Sequence, residues 1–242
     1  MTILAWQRGG GQGGVAAVLL HDWASDSVTD WQETGWITAL ERAGIPAFVP
    51  DLPGHGESAD VLIPDTEPAA WTAGAIVNDL ERLRVDRFCV VGHRVGALVG
   101  GHLAVRHPDR VPRLVLVGCD DLSLIPRAGD VAAALRDTAA ALWDPEASEA
   151  VSRARADRRH YLPTLAHWAG AAAWPAAPRL GAMRTPVLLA VGRDDPRRER
   201  APRLAQLFHD GHLITAPGDG GALASTELIT AVIAFLKQAD DA

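Results

Sequence analysis

Short, nearly continuous apolar runs alternate along the chain with longer stretches whose apolar positions recur at helical spacing. Residues 15–20, 45–49, 88–91, 114–117, 187–191 and 213–214 form the strand-like runs. Residues 31–43, 76–83, 95–106, 202–208 and 223–237 read as helices. In the first of these, Trp36, Ile37, Leu40 and Ala43 share one face. Continuous apolar strands that alternate with helices predict a mostly parallel, doubly wound sheet of about seven or eight strands, covered on both faces.

The rhythm changes between Cys119 and Thr185. No convincing strand occurs there, and residues 131–142 and 148–161 read as helices, with Pro145, Pro163, Pro175 and Pro178 as breakers. The expected organisation is a core of residues 1–119 and 186–242 with a helical cap at 120–185. The glycine-rich run 9–14 precedes a strand instead of joining a strand to a helix. It is therefore expected to be a flexible hairpin turn and not a phosphate loop.

Charge narrows the function classes. The chain has 242 residues, 23 basic and 30 acidic, for a net charge of −7; every basic residue except Lys237 is arginine. An acidic chain without a basic block does not fit nucleic-acid binding or a polybasic membrane surface. Two cysteines, Cys89 and Cys119, are too few for a disulfide framework. No apolar run is long enough to span a bilayer, and the first residues do not read as a signal peptide. A cytoplasmic protein is expected. No His/Cys cluster has metal-ligand spacing, and neither a metal nor a cofactor is expected.

The sharpest motif is Gly92-His93-Arg94-Val95-Gly96, set between a strand and a helix. Small residues flank a tight strand-to-helix turn because its central residue takes a strained backbone and its neighbours must clear the chain. The central side chain then stands over a helix N-terminus, where backbone N–H groups favour negative charge.

With this turn, the chain resembles the α/β-hydrolase superfamily over nearly its whole length. His21-Asp22-Trp23 is similar to the segment that helps form the family's oxyanion hole. Asp51-Leu52-Pro53-Gly54-His55-Gly56-Glu57-Ser58 resembles the D-x-x-G-x-G-x-S loop and is the most specific single match. Gly192-Arg193-Asp194-Asp195 looks like the turn of the catalytic acid, which places that acid at Asp195. Pro217-Gly218-Asp219-Gly220-Gly221 looks like the loop of the catalytic histidine. The resemblance implies an oxyanion region at Asp22, Trp23 and Val95, and a site under the cap at the C-terminal ends of the strands.

The triad positions depart from this pattern. The nucleophile position is Arg94, the histidine position falls on Gly221, and only Asp195 keeps the expected residue type. A guanidinium stays protonated and has no nucleophilic lone pair. Loss of a nucleophile–histidine pair costs roughly 10⁶-fold in turnover. Asp22 also stands where glycine is usual, and its charge would oppose a developing oxyanion. Arg94 has two readings that can coexist. It neutralises a local carboxylate, from Asp195, Asp22 or Asp219, or it reads an anionic ligand through its bidentate fork.

Other groups are candidate replacements. Asp120 and Asp121 follow the strand that ends near Cys119 and are alternative acids, as is Asp219. His93, His55, Ser25 and Ser58 read mainly as scaffold residues. Cys119 lacks an evident base, and His209 and His212 lie around the last strand. Eight tryptophans stand against one tyrosine and four phenylalanines. They read first as packing and cap anchors, with Trp23 and Trp168 as candidates for an aromatic pocket wall beside His21 and Arg94.

The expected function is non-hydrolytic binding of a small, partly apolar molecule, with room for an acidic group facing Arg94. A regulatory protein is the corresponding role. The alternatives are a non-serine enzyme on the same fold (a cyclase, isomerase or lyase), or an esterase or thioesterase with an unrecognised nucleophile or altered triad.

Overall fold

The computed structural model describes residues 3–11, 13–64, 67–121, 124–137, 142–218 and 222–239. Seven strands form one sheet: β1 (Trp6–Gly10), β2 (Ala16–Leu20), β3 (Pro46–Pro50), β4 (Phe88–His93), β5 (Leu114–Val117), β6 (Val187–Gly192) and β7 (Gly211–Ala216). Their spatial order is β1-β3-β2-β4-β5-β6-β7. Among the described residues, only β1 runs antiparallel, paired with β3. The strands β2, β4, β5 and β6 are buried at every position, which accounts for their unbroken apolar sequence.

Alternate residues of each strand feed two cores. Ala17, Leu19, Val91 and Val115 pack with helices α1 (Trp36–Ala43) and, at the end of the chain, residues Leu228, Val232 and Leu236. Val18, Leu20, Val90 and Leu114 pack on the other face with α2 (Pro68–Arg82) and α3 (Val95–Arg106). Helix α2 starts eight residues before the predicted 76–83 stretch. Its first turns bury Ala69, Ala70 and Ala73, whose small side chains give little visible periodicity.

Among the described residues, four helices stand between β5 and β6: α4 (Ala128–Arg136), α5 (Pro145–Ala156), α6 (Leu162–Ala171) and α7 (Ala177–Ala182). Pro145 opens α5, and prolines also fall in the first turns of α6 and α7. These prolines start helices more than they break them, because a first-turn N–H has no intrahelical partner to lose. Asp144 caps α5 by accepting a 2.9 Å hydrogen bond from the Ala147 N–H. Helix α4 packs on α6, and α6 reaches α2. The chain finishes with α8 (Ala201–Ala205) and α9 (Thr226–Lys237).

The glycine run does not form the expected hairpin. Gly9 and Gly10 end β1, and β1 pairs with β3, so β3 lies between β1 and β2. At Gly11 a Cβ would lie 2.2 Å from the Gly44 carbonyl carbon, so the run lets two backbones pass in contact. Among the described residues, no helix is long and apolar enough to cross a membrane.

Candidate functional site

The sheet order reverses direction between β2 and β4, the point where open α/β sheets leave a crevice at their C-terminal edge. Leu20 pairs in register with Gly92, so the residues just beyond β2 and β4 emerge side by side. These are His21, Asp22 and Trp23 on one strand end, and Arg94 and Val95 on the other.

Arg94 has φ 45° and ψ −107°, outside the regions most side chains occupy. The flanking glycines explain how the turn closes. A Cβ on Gly96 would lie 2.2 Å from the Leu20 carbonyl oxygen, and one on Gly92 would lie 2.6 Å from the Ala97 backbone. The Arg94 N–H donates to the Val117 carbonyl at 2.9 Å, and its own carbonyl accepts from Ala97 at 2.8 Å. The turn is thus held from β5 on one side and from α3 on the other.

Asp22 fills the space this turn opens. Its Oδ1 accepts from the Trp23 N–H at 2.7 Å and from the Val95 N–H at 3.3 Å. Its Oδ2 lies 3.7 Å from Arg94 Nη1 and 4.0 Å from Arg153 Nη2. Both ion pairs are longer than hydrogen bonds. The Arg94 Nε is buried and has no hydrogen-bond partner. Of the carboxylates expected to neutralise Arg94, Asp22 is the one at ion-pair distance among the described residues.

Behind Asp22 stands a buried carboxylate–imidazole pair. Asp30 Oδ2 lies 2.8 Å from His93 Nδ1 and also accepts from the Asp22 N–H at 2.8 Å. Ser25 donates to the other oxygen. Burial opposes ionisation of Asp30, but the charge and hydrogen bond of His93, with His21 and Ser25, hold it well below the usual carboxylate range.

Two cavities flank Arg94 and Arg153. One, of about 670 Å³, is lined by Asp22, Trp23, Asp30, His93 and His160 among others. The other, of about 420 Å³, includes Asp120, Glu149 and Arg197. Arg153 comes from α5 and His160 from the loop after it, so both clefts are walled partly by the segment between β5 and β6.

Several expected residues take other positions. His21 is fully buried: its Nε2 accepts from the Leu52 N–H at 2.8 Å and its Nδ1 donates to the Asp22 carbonyl at 2.7 Å. It holds the loop and lines neither cleft, which corrects the ligand-contact expectation. Trp168 is also fully buried, and its indole N–H donates to the Pro53 carbonyl at 3.0 Å. It anchors α6 to the 51–58 loop and is likewise no pocket wall. Trp23 borders the larger cleft, but its ring is in the core and its N–H is used on the Leu165 carbonyl. Trp143, expected to pack or anchor, is 92% exposed.

Asp195 caps the turn after β6. Its Oδ1 accepts from the Arg197 N–H at 2.9 Å, with that residue's guanidinium at 3.6 Å, while its Oδ2 is buried without a hydrogen-bond partner. Asp121 pairs with Arg200 at 2.9 Å. Asp120 borders the smaller cleft. Gly221 and Asp219 lie outside the described residues. Cys119 is buried, its thiol donates to the Val117 carbonyl at 3.2 Å, and burial pushes its pKa far up, which removes it as a nucleophile. His212 pairs with Asp210, and His209 accepts from Arg184, both on the exposed β7 side. His55 is a scaffold residue: its Nε2 accepts from the Ala24 N–H and its Nδ1 donates to the Pro53 carbonyl. Among the described residues no group of three His, Cys, Asp or Glu could hold a metal ion.

A family model for the alpha/beta hydrolase fold matches residues 15–142, more than half of the chain. The chain belongs to the α/β-hydrolase fold family. Curated relatives include the dihydrolipoyllysine-residue acetyltransferase component of an acetoin cleaving system from Pseudomonas putida, 34% identical over 48% of this chain and 30% of the relative. A pimeloyl-[acyl-carrier protein] methyl ester esterase from Vibrio atlanticus is 37% identical over 41% of this chain and 34% of the relative. The match therefore spans about a third of each relative's length. Among solved structures, a hydrolase from Pseudomonas aeruginosa superposes with a TM-score of 0.77 at 22% identity, covering 96% of this chain and 94% of that one. The enol-lactonase from Burkholderia xenovorans gives 0.70 at 21% identity, covering 98% and 95%. At these identities the α/β-hydrolase likeness is one of fold.

Sequence reasoning missed three residues of this α/β-hydrolase site. Arg153 sits on a polar helix whose register against the core no local motif reveals. Asp30 lies in a five-residue π-helical turn, Val28–Gln32, most of which falls before the 31–43 stretch that the pattern reads as helix. His160 reaches the cleft from a loop.

Proposed function

We propose that this α/β-hydrolase-fold chain has lost ordinary serine-hydrolase chemistry and is a non-hydrolytic binding or regulatory protein. Its triad positions hold Arg94, Asp195 and Gly221. The observation that carries this reading is the Asp22 carboxylate, which already occupies the paired N–H groups of Trp23 and Val95. A hole whose N–H groups already bond a carboxylate oxygen offers no vacant donors to a tetrahedral intermediate. Arg94, at the centre of the turn, supplies charge and no nucleophile.

The ligand is a small, partly apolar molecule with an acidic group, held in the cleft between the turn and the cap formed by 120–185. The cleft's volume of about 670 Å³ suits such a molecule. The ligand's acid competes with Asp22 for Arg94 and Arg153. The test has two parts. A fluorophosphonate probe and a broad ester panel should give neither labelling nor turnover; specific labelling overturns the reading. A panel of small carboxylates screened by thermal shift should give a binder that is lost in Arg94→Ala; equal binding by that variant removes Arg94 from recognition.

The Asp30–His93 pair on the cleft wall favours a second reading, an isomerase, cyclase or lyase that moves a proton without a serine. Turnover of a cleft ligand that His93→Gln abolishes, with binding retained, would favour this reading over the first.

A further inference from the structure

A separate groove of about 720 Å³ lies at the opposite end of the sheet from Arg94. It is bordered by the residues that lead into β4, β5 and β6 and by the C-terminal end of α3. The six residues of β4 put about 20 Å between it and the strand-to-helix turn.

Arg87, Arg113, Arg179 and Arg184 line the groove against one carboxylate, Asp109, in a chain whose net charge is −7. Among the described residues, none of these four arginines has a carboxylate within 4.0 Å, although most other ion pairs of the molecule are made by arginine. Val105, Pro112 and Pro186, each partly exposed, supply the apolar wall between them, over the buried Val111 and Met183.

Two of the four guanidiniums are held in place without being neutralised. The Arg113 head lies 5.3 Å from the centre of the Phe235 ring and donates to the Gln238 carbonyl at 3.2 Å. Its Nε is buried with no hydrogen-bond partner. Arg184 donates to His209 Nε2 at 2.8 Å. Arg87 and Arg179 make no side-chain hydrogen bond or ion pair to a described residue and can close on a ligand. Fixed cations that lack counter-charges, set around an apolar wall, fit a molecule with one anionic head and an apolar body.

We infer that this groove is a second binding site, for a small amphipathic anion, independent of the cleft over Arg94. The anionic head, a carboxylate, sulfonate or phosphate, takes the guanidinium donors, and the apolar body lies on Val105, Pro112 and Pro186.

The test uses 8-anilinonaphthalene-1-sulfonate, followed by fluorescence on the full chain. N-phenyl-1-naphthylamine, the same rings without the sulfonate, is the uncharged control. The expected result is saturable sulfonate binding that weakens with added salt, with the uncharged control at least about tenfold weaker. The charge reversal Arg87→Glu/Arg179→Glu should weaken sulfonate binding at least about tenfold with an unchanged melting temperature, since both side chains are exposed. Arg94→Ala should leave it unchanged, which separates this groove from the proposed cleft ligand. Absence of saturable binding overturns the proposal. So does equal binding of the two probes, equal binding by the charge-reversed chain, or loss of binding in Arg94→Ala alone.

Discussion

Asp22 Oδ1 accepts a hydrogen bond from the Val95 N–H, 3.3 Å away, across the gap between the ends of β2 and β4. The two residues lie on loops that the sheet order brings together, and the second N–H on the same oxygen, from Trp23, is 2.7 Å away. This contact makes a prediction about introducing hydrolysis. Arg94→Ser with Gly221→His supplies a nucleophile and a base but leaves the carboxylate in the hole. The double variant should show no ester turnover above background. Adding Asp22→Gly empties the donors and should raise p-nitrophenyl acetate hydrolysis by at least about 10², the cost of losing one such donor in a working enzyme. Equal rates in the double and triple variants would show that the carboxylate is not what blocks the site.

The same carboxylate bears on stability. Asp22→Ala strips the acceptor from two buried N–H groups and leaves the Arg94 charge, with 18% of its side chain exposed, without its nearest counter-charge. A loss of about 2–3 kcal/mol in urea unfolding is expected, from one orphaned donor set and one partly buried charge. Asp22→Asn keeps an acceptor oxygen and should cost less, about 1 kcal/mol. Equal losses in the two variants would place the whole effect on charge.

The fold was legible where one physical requirement dominates the residue choice. Strands buried on both faces must be apolar throughout, so β2, β4, β5 and β6 could be read directly. Gly92 and Gly96 frame Arg94 because the turn leaves no room for a Cβ at either position. The bonds of Asp22 to the Trp23 and Val95 N–H groups were not legible, since they depend on a rotamer and on the Arg94 side chain. Trp168 and His21 were misread for a related reason. An indole or imidazole suits a pocket wall and a core equally, and only the Pro53 and Leu52 backbone partners decide between them. Strand β1 was hidden because its glycines serve the crossing with Gly44 and carry no strand pattern.

His55 sets an expectation for acid sensitivity. Burial, with the neighbouring His21 and His160, holds its pKa well below 6.5. The folded protein therefore keeps His55 neutral while the unfolded chain takes up a proton below about 6.5. The unfolded state binds more protons there, so stability rises with pH and is lost as pH falls below that value, with a limiting slope of about 1.4 kcal/mol per pH unit. His55→Gln can still accept from Ala24 but does not titrate. Its stability deficit relative to wild type should shrink between about pH 7 and pH 5 in urea unfolding. A constant deficit would assign the acid sensitivity elsewhere, with Asp30 as the next group, since its depressed pKa loses stability only at lower pH.

Arg159 ties the loop after α5 to the sheet edge. Its Nη2 lies 2.6 Å from Asp26 Oδ2, and the carboxylate is 2% exposed. Beside this pair the Tyr161 N–H donates to the Gly54 carbonyl at 2.9 Å. Arg159→Ala leaves Asp26 with its Thr29 contact alone, and should cost about 1 kcal/mol because the arginine itself is half exposed. The local effect should be larger than the global one: hydrogen exchange at the Tyr161 amide should accelerate while amides of β4 keep their protection. Asp26→Asn in the Arg159→Ala background should recover part of the loss, since no unpaired charge remains. Uniform acceleration across the sheet would mean that the pair stabilises the whole fold and not the loop.

The backbone at Arg94 can be separated from its charge by comparing two substitutions that both delete the guanidinium. At φ 45° and ψ −107°, a Cβ is strained by about 1–3 kcal/mol, and glycine is not. Glycine also gives the unfolded chain more freedom, which costs about 0.5–1 kcal/mol relative to alanine. The first effect is the larger. Arg94→Gly should therefore be more stable than Arg94→Ala by about 1 kcal/mol, read from urea midpoints at equal slope. Both variants lose the same ion pair with Asp22, so that interaction cancels from the difference. If alanine proves as stable as glycine, the turn relaxes once the guanidinium is gone. The strain would then be imposed by the Arg94–Asp22 contact and not by the crossing of Gly92 and Gly96 with their neighbours.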